Sequence, residues 1–453
     1  MKNYFYWLIV LNDKNIFLII KHESINTNSK YSTKRTNNLN RMIKESLFSK
    51  LFLIIIISIL FCWFSLRRIK KFVKSKNYYS NYLNQNYDSI DVAFNKSLNF
   101  IKSCLSSELI KFPSYYNFDN PKISVIIPLF NCEKYILRAI RSIQLQNISN
   151  FEIILIDDDS KDNTTFLIEK IMNEDNRIKL IKNKNNMGVL YSRSIGILSS
   201  KGKYLYTLDN DDMFLNEDVI DTITNISENG NFDIVEFKAL SNTILNQDLL
   251  NNRIKDSIFS HQKSFLFFQP ELGSYPISTG NQTGKYRLND IFLWGKCIKS
   301  NIYKNVLYKF GYYRYSRFMI RYEDILTNYM ICNIAESFLF VPKYGIYHIN
   351  RKGSGASIGR KKVSRTNNIL YLIDTVIDFS LNNIKNKKLP AFLMIYFLKQ
   401  RTFKNIITKN KNNKKIFISC MRRILNSVYI PQNHKEEIQR LIKKHKFIRS
   451  FNF

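Results

Sequence analysis

Two clusters of aspartates directly follow short apolar runs, and their carboxylates are the first candidates for chemistry. Residues 209–212 (Asp-Asn-Asp-Asp) end the run 204–208, and residues 157–159 (Asp-Asp-Asp) end the run 151–156. Each run is too short for a helix and rich in strand-forming residues, so it predicts a buried strand. Neighbouring carboxylates at such a position repel one another unless a cation or a donor compensates. The Asp-x-Asp spacing within 209–212 suits a hard divalent cation shared with a phosphate, whereas the simpler interpretation is a solvated, helix-capping turn.

Apolar runs alternate with helical patterns around both clusters, which predicts an α/β fold with a mainly parallel sheet flanked by helices. In such sheets ligands bind beyond the carboxyl ends of the strands, where both aspartate clusters lie. This agreement favours a ligand site over two unrelated turns. The predicted strands cover residues 122–128, 151–156, 178–181 and 204–208, and the predicted helices cover a segment through Ile136, Ile140 and Ile143 with Asn131 as its cap, then 164–173 and 189–199.

Composition limits the class of protein. With 453 residues the chain can form one large domain or two to three ordinary ones, and 45% hydrophobic residues exclude a disordered chain. The net charge of +33 is compatible with nucleic acid, an acidic membrane or an anionic substrate. The basic residues are spread along the chain, with extra density at 67–76 and after Lys361. Because zinc-finger spacing and aromatic RNA-binding patterns are missing, no specific nucleic-acid partner is expected. The six cysteines lie far apart, so neither a metal cluster nor a disulfide framework is indicated.

One stretch predicts membrane attachment. Residues 51–66 contain no charge, and their 16 residues would span roughly 24 Å as a helix, short of the ~30 Å hydrocarbon core. Extension to residue 47, with Lys50 reaching the interface, predicts a single-pass anchor over 47–66. A buried core helix and a cleaved signal peptide are the alternatives, and the second is disfavoured because basic residues 67–71 follow instead of a cleavage site. The distribution of basic residues leans slightly towards a cytoplasmic catalytic domain.

The chain therefore divides into five predicted regions. Residues 1–46 are a polar, partly disordered segment, 47–66 are the anchor, 67–118 are a basic flank and linker, 119–360 are the main domain, and 361–453 are a basic helical tail. The tail helices are compatible with contact to anionic lipid and equally with packing on the main domain.

Within residues 119–360 the motifs resemble family-2 glycosyltransferases of the GT-A fold. They agree in order and spacing, which is more specific than any one motif. The matching segments are SVIIPLFN (124–131), ILIDDDS (154–160), NNMGV (185–189) followed by Arg193, YLYTLDNDD (204–212), LWGKCIKS (293–300) and YED (322–324).

The resemblance implies a role for each matching position. One group would bind the nucleotide: Pro128, Phe130, Asn131, Asp158, Arg193 and Asp209. In this group Phe130 would lie against the base, Asp158 would hydrogen-bond the base, and Arg193 would lie near the diphosphate. Asp211, with Asp209 as its neighbour on ribose or metal, would ligate Mn²⁺ or Mg²⁺. Asp324 would be the general base, although its position before a predicted helix also suits a capping residue.

Two positions depart from the family pattern, and the roles of several further residues have more than one interpretation. Asp159 stands where the family usually has Gly, and Ser194 stands where Asn often follows the Arg. Asp212 is interpreted as a helix-capping residue. His348 is either a further metal or phosphate contact or a packed histidine, and the glycine-containing loop 352–357 could cover a diphosphate.

The function implied is a metal-dependent, inverting glycosyltransferase of hexosyl or N-acetylhexosaminyl groups. It would move the sugar from a nucleotide-sugar donor, expected to be a UDP-sugar, to a hydroxyl of a glycan, lipid or protein acceptor. A nucleotidyltransferase is disfavoured because no glycine-rich loop bearing Arg follows the first strand. The remaining alternative is a catalytically silent, GT-A-like protein that binds glycans or nucleic acid.

Overall fold

The computed structural model contains two compact units, residues 1–72 and 73–453. The residues that the structure describes are 2–12, 15–25, 57–58, 60, 63–82, 85–105, 110, 120–242, 255–256, 265–268, 277–279, 286–288, 293–310, 323–349, 370, 372–378, 394–395, 398, 407–408, 411–428 and 430–445.

The first unit contains a long β-hairpin and a helical segment. Strands β1 (Lys2–Asn12) and β2 (Asn15–Ile25) pair antiparallel, and residues 63–72 are helical. Of the predicted anchor 47–66, residues 47–56, 59 and 61–62 lie outside the described residues. In the part of the chain that is described, no helix is long and apolar enough to cross a membrane.

A ten-stranded mixed sheet organises the second unit. Its main path runs β10-β14-β8-β13-β6-β3-β4-β5, with β7 on β14 and β9 on β8, while β11 and β12 form a separate pair. The strands are β3 (Ile123–Leu129), β4 (Phe151–Asp157), β5 (Ile178–Lys182), β6 (Tyr204–Thr207), β7 (Met213–Phe214), β8 (Ile234–Asn242), β9 (Lys255–Asp256), β10 (Phe265–Phe268), β11 (Ile277–Thr279), β12 (Tyr286–Leu288), β13 (Lys296–Lys299) and β14 (Ser337–Ile349).

Helices connect these strands and cover the sheet. The labelled helices are α1 (Ile90–Cys104), α2 (Ile136–Gln144), α3 (Thr164–Met172), α4 (Val189–Ser199), α5 (Val219–Gly230), α6 (Ser300–Phe310), α7 (Glu323–Ile334), α8 (Lys411–Asn426) and α9 (Gln432–Lys444).

The predicted α/β alternation is confirmed from β3 to β6, where the four strands pair in parallel. Beyond β6 the sheet is mixed, because β13 inserts antiparallel between β6 and β8. Since two antiparallel steps restore direction, β8 and its parallel partner β14 run the same way as β6. The carboxyl ends of β4, β3, β6, β8 and β14 therefore face the same edge of the sheet.

One predicted helix start is wrong. Helix α2 begins at Ile136 with Tyr135 as its cap residue and without a side-chain capping bond. Asn131 instead has φ of +47° and accepts a hydrogen bond from the Lys161 amide at 2.8 Å. Its side chain thus joins the loops that follow β3 and β4.

The two faces of the sheet have separate cores, as alternation along a strand requires. Ile126 and Ile154 face the core formed with α4, α6, α7, α8 and α9. Val125 and Ile153, one position earlier on each strand, face the core formed with α2, α3 and α5. Burial on both faces explains why these strands are continuously apolar.

A buried carboxylate ties the strands together at the opposite, amino end of the sheet. Glu152 accepts hydrogen bonds from the Ser124 hydroxyl and the Lys201 amide, each at 2.6 Å, and from Lys179 Nζ at 2.6 Å. Gly202 donates its amide to Ser124 Oγ at 2.8 Å. Because Gly202 has no side chain, its backbone can approach Ser124 closely enough to form this hydrogen bond.

Gly202→Ala is expected to destabilise the fold. An added Cβ would lie 2.4 Å from Ser124 Oγ and 2.5 Å from the Ser124 amide nitrogen, and a backbone atom cannot move away easily. The free energy of unfolding should fall by about 2–3 kcal/mol, as for other overpacked sites. Urea unfolding monitored by circular dichroism measures the change. Lys201→Ala, which keeps the amide that binds Glu152, is the control and should have little effect; equal stability of both variants would contradict the packing argument.

Candidate active site

The candidate site lies at the carboxyl edge of the sheet. The first loop, after β3, carries Phe130 and Asn131. Phe130 is 46% exposed, which is unusual for a large aromatic side chain directly after a buried strand. Asn131 is fixed by the bond from the Lys161 amide, and its own amide donates to Ser160 Oγ at 3.0 Å. The carbonyl of Pro128 accepts a bond from Asn210 Nδ2 at 3.0 Å, which joins this loop to the Asp-x-Asp turn.

The second loop, after β4, is built around Asp158. This carboxylate is 3% exposed and accepts hydrogen bonds from Asn183 Nδ2 and from the amides of Met187 and Gly188, each at 2.8 Å. Asp158 therefore fixes the loop that leads into α4. The predicted bond from Asp158 to a nucleotide base stays a prediction.

Asp159 shows why the related pattern prefers glycine at this position. Its φ is +67°, in the left-handed region that glycine adopts most readily and Asp tolerates. Lys161 forms an ion pair with its carboxylate. The departure from the family pattern thus keeps the same backbone conformation.

Arg193 connects two candidate carboxylates, Asp209 and Asp324, that lie far apart in sequence. It lies on α4 and is 3% exposed. One guanidinium nitrogen contacts Asp209 Oδ1 at 3.3 Å, and another contacts Asp324 Oδ1 at 3.3 Å, with Glu323 Oε1 at 3.9 Å. Three of the predicted site residues are therefore brought together, although they come from α4, the end of β6 and α7.

The electrostatics of this cluster favour proton uptake by carboxylates. Burial raises the pKa of Asp209, and Asp211 adds to the rise, while Arg193 opposes it. Burial and the neighbouring Glu323 hold the pKa of Asp324 well above its usual range, again opposed by Arg193. Asp324 lies in the first turn of α7 and not before the helix, so the capping alternative does not describe it.

Asp211 is half-buried beside Asp209 in the same turn. Its backbone carbonyl accepts a hydrogen bond from Arg138 on α2 at 3.0 Å. This bond helps to fix the turn from the side of α2.

Asp212 is not a helix-capping residue, which corrects the sequence interpretation. It precedes β7 and is completely buried. Its carboxylate oxygens lie 2.9 Å from His348 Nδ1, and Oδ1 also accepts the Ile349 amide at 3.0 Å. Trp294 stacks on the His348 ring, with centroids 5.1 Å apart and an interplanar angle of 17°. His348 therefore belongs to this edge of the sheet, held by Asp212 and Trp294.

The Asp212–His348 pair is an ion pair over the neutral pH range. Burial alone would lower the pKa of His348, but the Asp212 carboxylate outweighs it and raises that pKa to about 9. Burial raises the pKa of Asp212 to about 6, although His348 opposes the shift. Between these values both groups are charged.

The His348 contribution to stability should depend on pH. Because its folded pKa of about 9 lies above the unfolded value of 6.5, the stabilisation is present near pH 6.5, where Asp212 is still charged, and is lost as the pH rises through 9. In EDTA, His348→Gln should lower the free energy of unfolding by about 2 kcal/mol at pH 6.5 and by much less at pH 9.5. In an Asp212→Asn background this pH dependence should be much smaller, because only Asp209 and Asp211 then raise the pKa of His348. A difference that is constant from pH 6.5 to 9.5 would contradict the ion pair.

The acidic turn can share a divalent cation with a substrate but does not form a complete metal cage. Among the described residues, no group of three or more His, Cys, Asp or Glu side chains is arranged to hold a metal. Mg²⁺ and similar ions commonly use one or two carboxylates and take other ligands from substrate phosphates and water. Asp209 and Asp211 fit this pattern, since Asp211 raises the pKa of Asp209 by a repulsion that a cation would relieve.

Comparison with known proteins identifies the domain. Residues 124–289 match the model of Glycosyl transferase family 2. Glycosyltransferase GlyG of Streptococcus pneumoniae is 34% identical over 113 residues, 25% of this chain and 37% of the relative. UDP-Glc:alpha-D-GlcNAc-diphosphoundecaprenol beta-1,3-glucosyltransferase WfgD of Escherichia coli is 31% identical over 128 residues, 27% of this chain and 50% of the relative. GalNAc(5)-diNAcBac-PP-undecaprenol beta-1,3-glucosyltransferase of Campylobacter jejuni is 38% identical over 96 residues, 21% of this chain and 31% of the relative.

The chain therefore contains a glycosyltransferase family 2 domain, with a GT-A-like mixed sheet flanked by helices. Each of the three alignments spans half or less of the relative's length. Trp294, Asp324 and His348 lie beyond the residues that match the family model.

Proposed function

We propose that the family 2 domain transfers a sugar from a nucleotide-diphosphate donor to an acceptor hydroxyl, with inversion at the sugar carbon. The observation that carries this proposal is the contact of Arg193 with both Asp209 and Asp324 at the carboxyl edge of the sheet. Asp209 belongs to the turn assigned to the donor, and Asp324 is the base assigned to the acceptor. Because Arg193 contacts both, we infer that the donor and the acceptor bind in the same site.

The donor would bind along the loops after β3 and β4. Phe130 offers an exposed aromatic face for a base, and base–aromatic stacking is a common and favourable contact. Asp158 shapes the adjoining loop through its three hydrogen bonds. We propose a UDP-sugar, because the relative WfgD is named for UDP-Glc.

Asp324 would act as the general base. It accepts the proton of the acceptor hydroxyl while that oxygen forms a bond to the sugar carbon and the bond to the diphosphate breaks. Proton transfer of this kind contributes typically 10²–10⁴-fold to the rate. Burial and Glu323 raise the pKa of Asp324, which makes it a better proton acceptor than an ordinary carboxylate.

The leaving nucleotide diphosphate gains negative charge as the bond breaks. We propose that Asp211 and Asp209 hold Mn²⁺ or Mg²⁺, which when bound neutralises charge on the diphosphate. Arg193 adds a fixed positive charge at the same turn and orients Asp209. Their combined effect favours the transition state over the bound donor.

The acceptor proposed is a saccharide carried on a lipid diphosphate. Two relatives are named for acceptors that contain undecaprenol linked through a diphosphate. Attachment to a membrane through residues 47–66, with the catalytic domain on the cytoplasmic side, would bring the site to such an acceptor. Membrane attachment remains part of the proposal.

Substitution of Asp211 and Asp324 should separate donor binding from transfer. Asp211→Ala should abolish metal-dependent binding of the UDP-sugar, because the turn loses a ligand. Asp324→Asn keeps a polar side chain near Arg193, so binding should persist while transfer falls by about 10²–10⁴-fold. Calorimetry with a panel of nucleotide sugars and Mn²⁺ measures binding, and release of UDP with acceptor measures transfer.

Asp91→Asn, an exposed acidic position on α1, is the matched control and should leave both quantities unchanged. Normal turnover by Asp324→Asn would exclude it as the base. Binding of glycans or RNA without binding or hydrolysis of any nucleotide sugar would favour the catalytically silent alternative.

A further inference from the structure

Positive charge is separated from the candidate site along the chain. Residues 120–242, which contain most of the site, carry 14 Lys and Arg against 18 Asp and Glu. Residues 361–453 carry 21 Lys and Arg against 4 Asp and Glu. A uniform bias in composition would not leave one part negative and the other strongly positive. The basic C-terminal region therefore requires an explanation of its own.

Helices α8 and α9 each expose basic side chains away from their buried faces. Their buried side chains recur at helical spacing and join the core beside α7: Asn413, Phe417, Cys420, Met421 and Ile424 on α8, and His434, Ile438 and Leu441 on α9. Exposed basic side chains occupy other positions: Lys411, Lys414, Lys415, Arg422, Lys443 and Lys444. The apolar faces are already used in the core, so a ligand of this surface would bind by charge and not by insertion.

Acidic residues compensate only part of this charge. Arg423 forms ion pairs with Asp374 and Asp378, and Arg440 pairs with Glu437 at 2.7 Å. Residues 411–445 hold nine Lys and Arg against two acidic residues, and Asp374 and Asp378 raise the acidic residues to four. The surface therefore keeps an excess of positive charge that complements an anionic partner.

A second segment indicates which anionic partner. The helical segment near residues 60–72 exposes Leu60, Trp63, Phe64, Leu66 and Ile69, each at 50% or more. Basic residues follow directly, with Ile69 between them: Arg67, Arg68, Lys70 and Lys71. Exposed Trp, Phe and Leu next to Lys and Arg are typical of helices at a lipid–water interface. Nucleic acid would not require such an apolar row.

We propose that the basic surface of α8 and α9, termed the α8–α9 surface, binds the anionic face of a lipid bilayer. It would supply an electrostatic contact in addition to the apolar segment, and stable membrane association generally requires two such contributions. The proposal holds whatever sugar is transferred, because it concerns charge on a surface that shares no residue with the candidate site. Its test uses no substrate, so its failure and a failure of the proposed function are distinguishable.

The test compares two variants of the full chain that each lose three positive charges. Lys411→Gln/Lys414→Gln/Lys415→Gln changes the α8–α9 surface, and Lys122→Gln/Lys170→Gln/Lys201→Gln changes exposed lysines of the sheet domain. Binding is measured by flotation with phosphatidylcholine vesicles, with or without 30% phosphatidylglycerol, at two salt concentrations. The neutral vesicles report the contribution of the apolar segment. Circular dichroism verifies that both variants remain folded.

The wild-type protein should prefer anionic vesicles, and added salt should weaken that preference. Each lysine near an anionic surface contributes roughly fivefold, so the α8 variant, which loses three, should bind anionic vesicles about 100-fold more weakly. The control variant should change by less than about threefold, and binding to neutral vesicles should be unaffected. Equal loss in both variants would reduce the effect to net charge and overturn the proposal. Equal binding to both vesicle types, or tight salt-dependent binding of RNA that displaces anionic vesicles, would also overturn it.

Discussion

The candidate site depends on the burial of one guanidinium group. A charge that is 3% exposed requires partners, because desolvation without them is prohibitive. Arg193 has its partners on the turn after β6 and at the start of α7, so its burial fixes the distance between Asp209 and Asp324. The same contacts explain why Asp324, although its pKa is raised, remains within reach of a compensating charge. Arg193 thus determines both the spacing of Asp209 and Asp324 and the positive charge that lies beside them.

The direction of the strands determines which residues lie near Arg193. The parallel pairing of β3 with β4 and β6 brings Asn131, Asp158 and Asp209 to one edge. The antiparallel insertion of β13 then allows β14 to end at the same edge, where His348 meets Asp212. Trp294, just before β13, completes this contact by stacking on the imidazole. Residues separated by up to 137 positions become neighbours because these strands end at the same edge of the sheet.

The central strands and the acidic turn at 209–212 could be predicted from sequence, because each is determined by a short run of neighbouring residues. The apolar runs before Asp157 and Asp209 are strands, and the helical pattern after Gly188 is the helix that carries Arg193. The partner of Asp212 could not be predicted, since it depends on the pairing of β7 with β14 more than 130 residues later. The role of Asn131 could not be predicted for a similar reason, because its bond from the Lys161 amide forms only when the loops after β3 and β4 meet.

Charge balance at the edge of the sheet limits the chemistry that it can perform. Around the acidic turn and Arg193, the described residues place five carboxylates, from Asp209, Asp211, Asp212, Glu323 and Asp324, against the cations of Arg138, Arg193 and His348. The nearby Lys296 pairs with Glu236 and leaves the balance unchanged. With Asp324 protonated, four carboxylates remain against these three cations, so the net charge stays negative and disfavours the binding of a nucleotide diphosphate. A cation that entered with the donor would offset this excess of negative charge, and this is the electrostatic argument for the metal dependence that we propose.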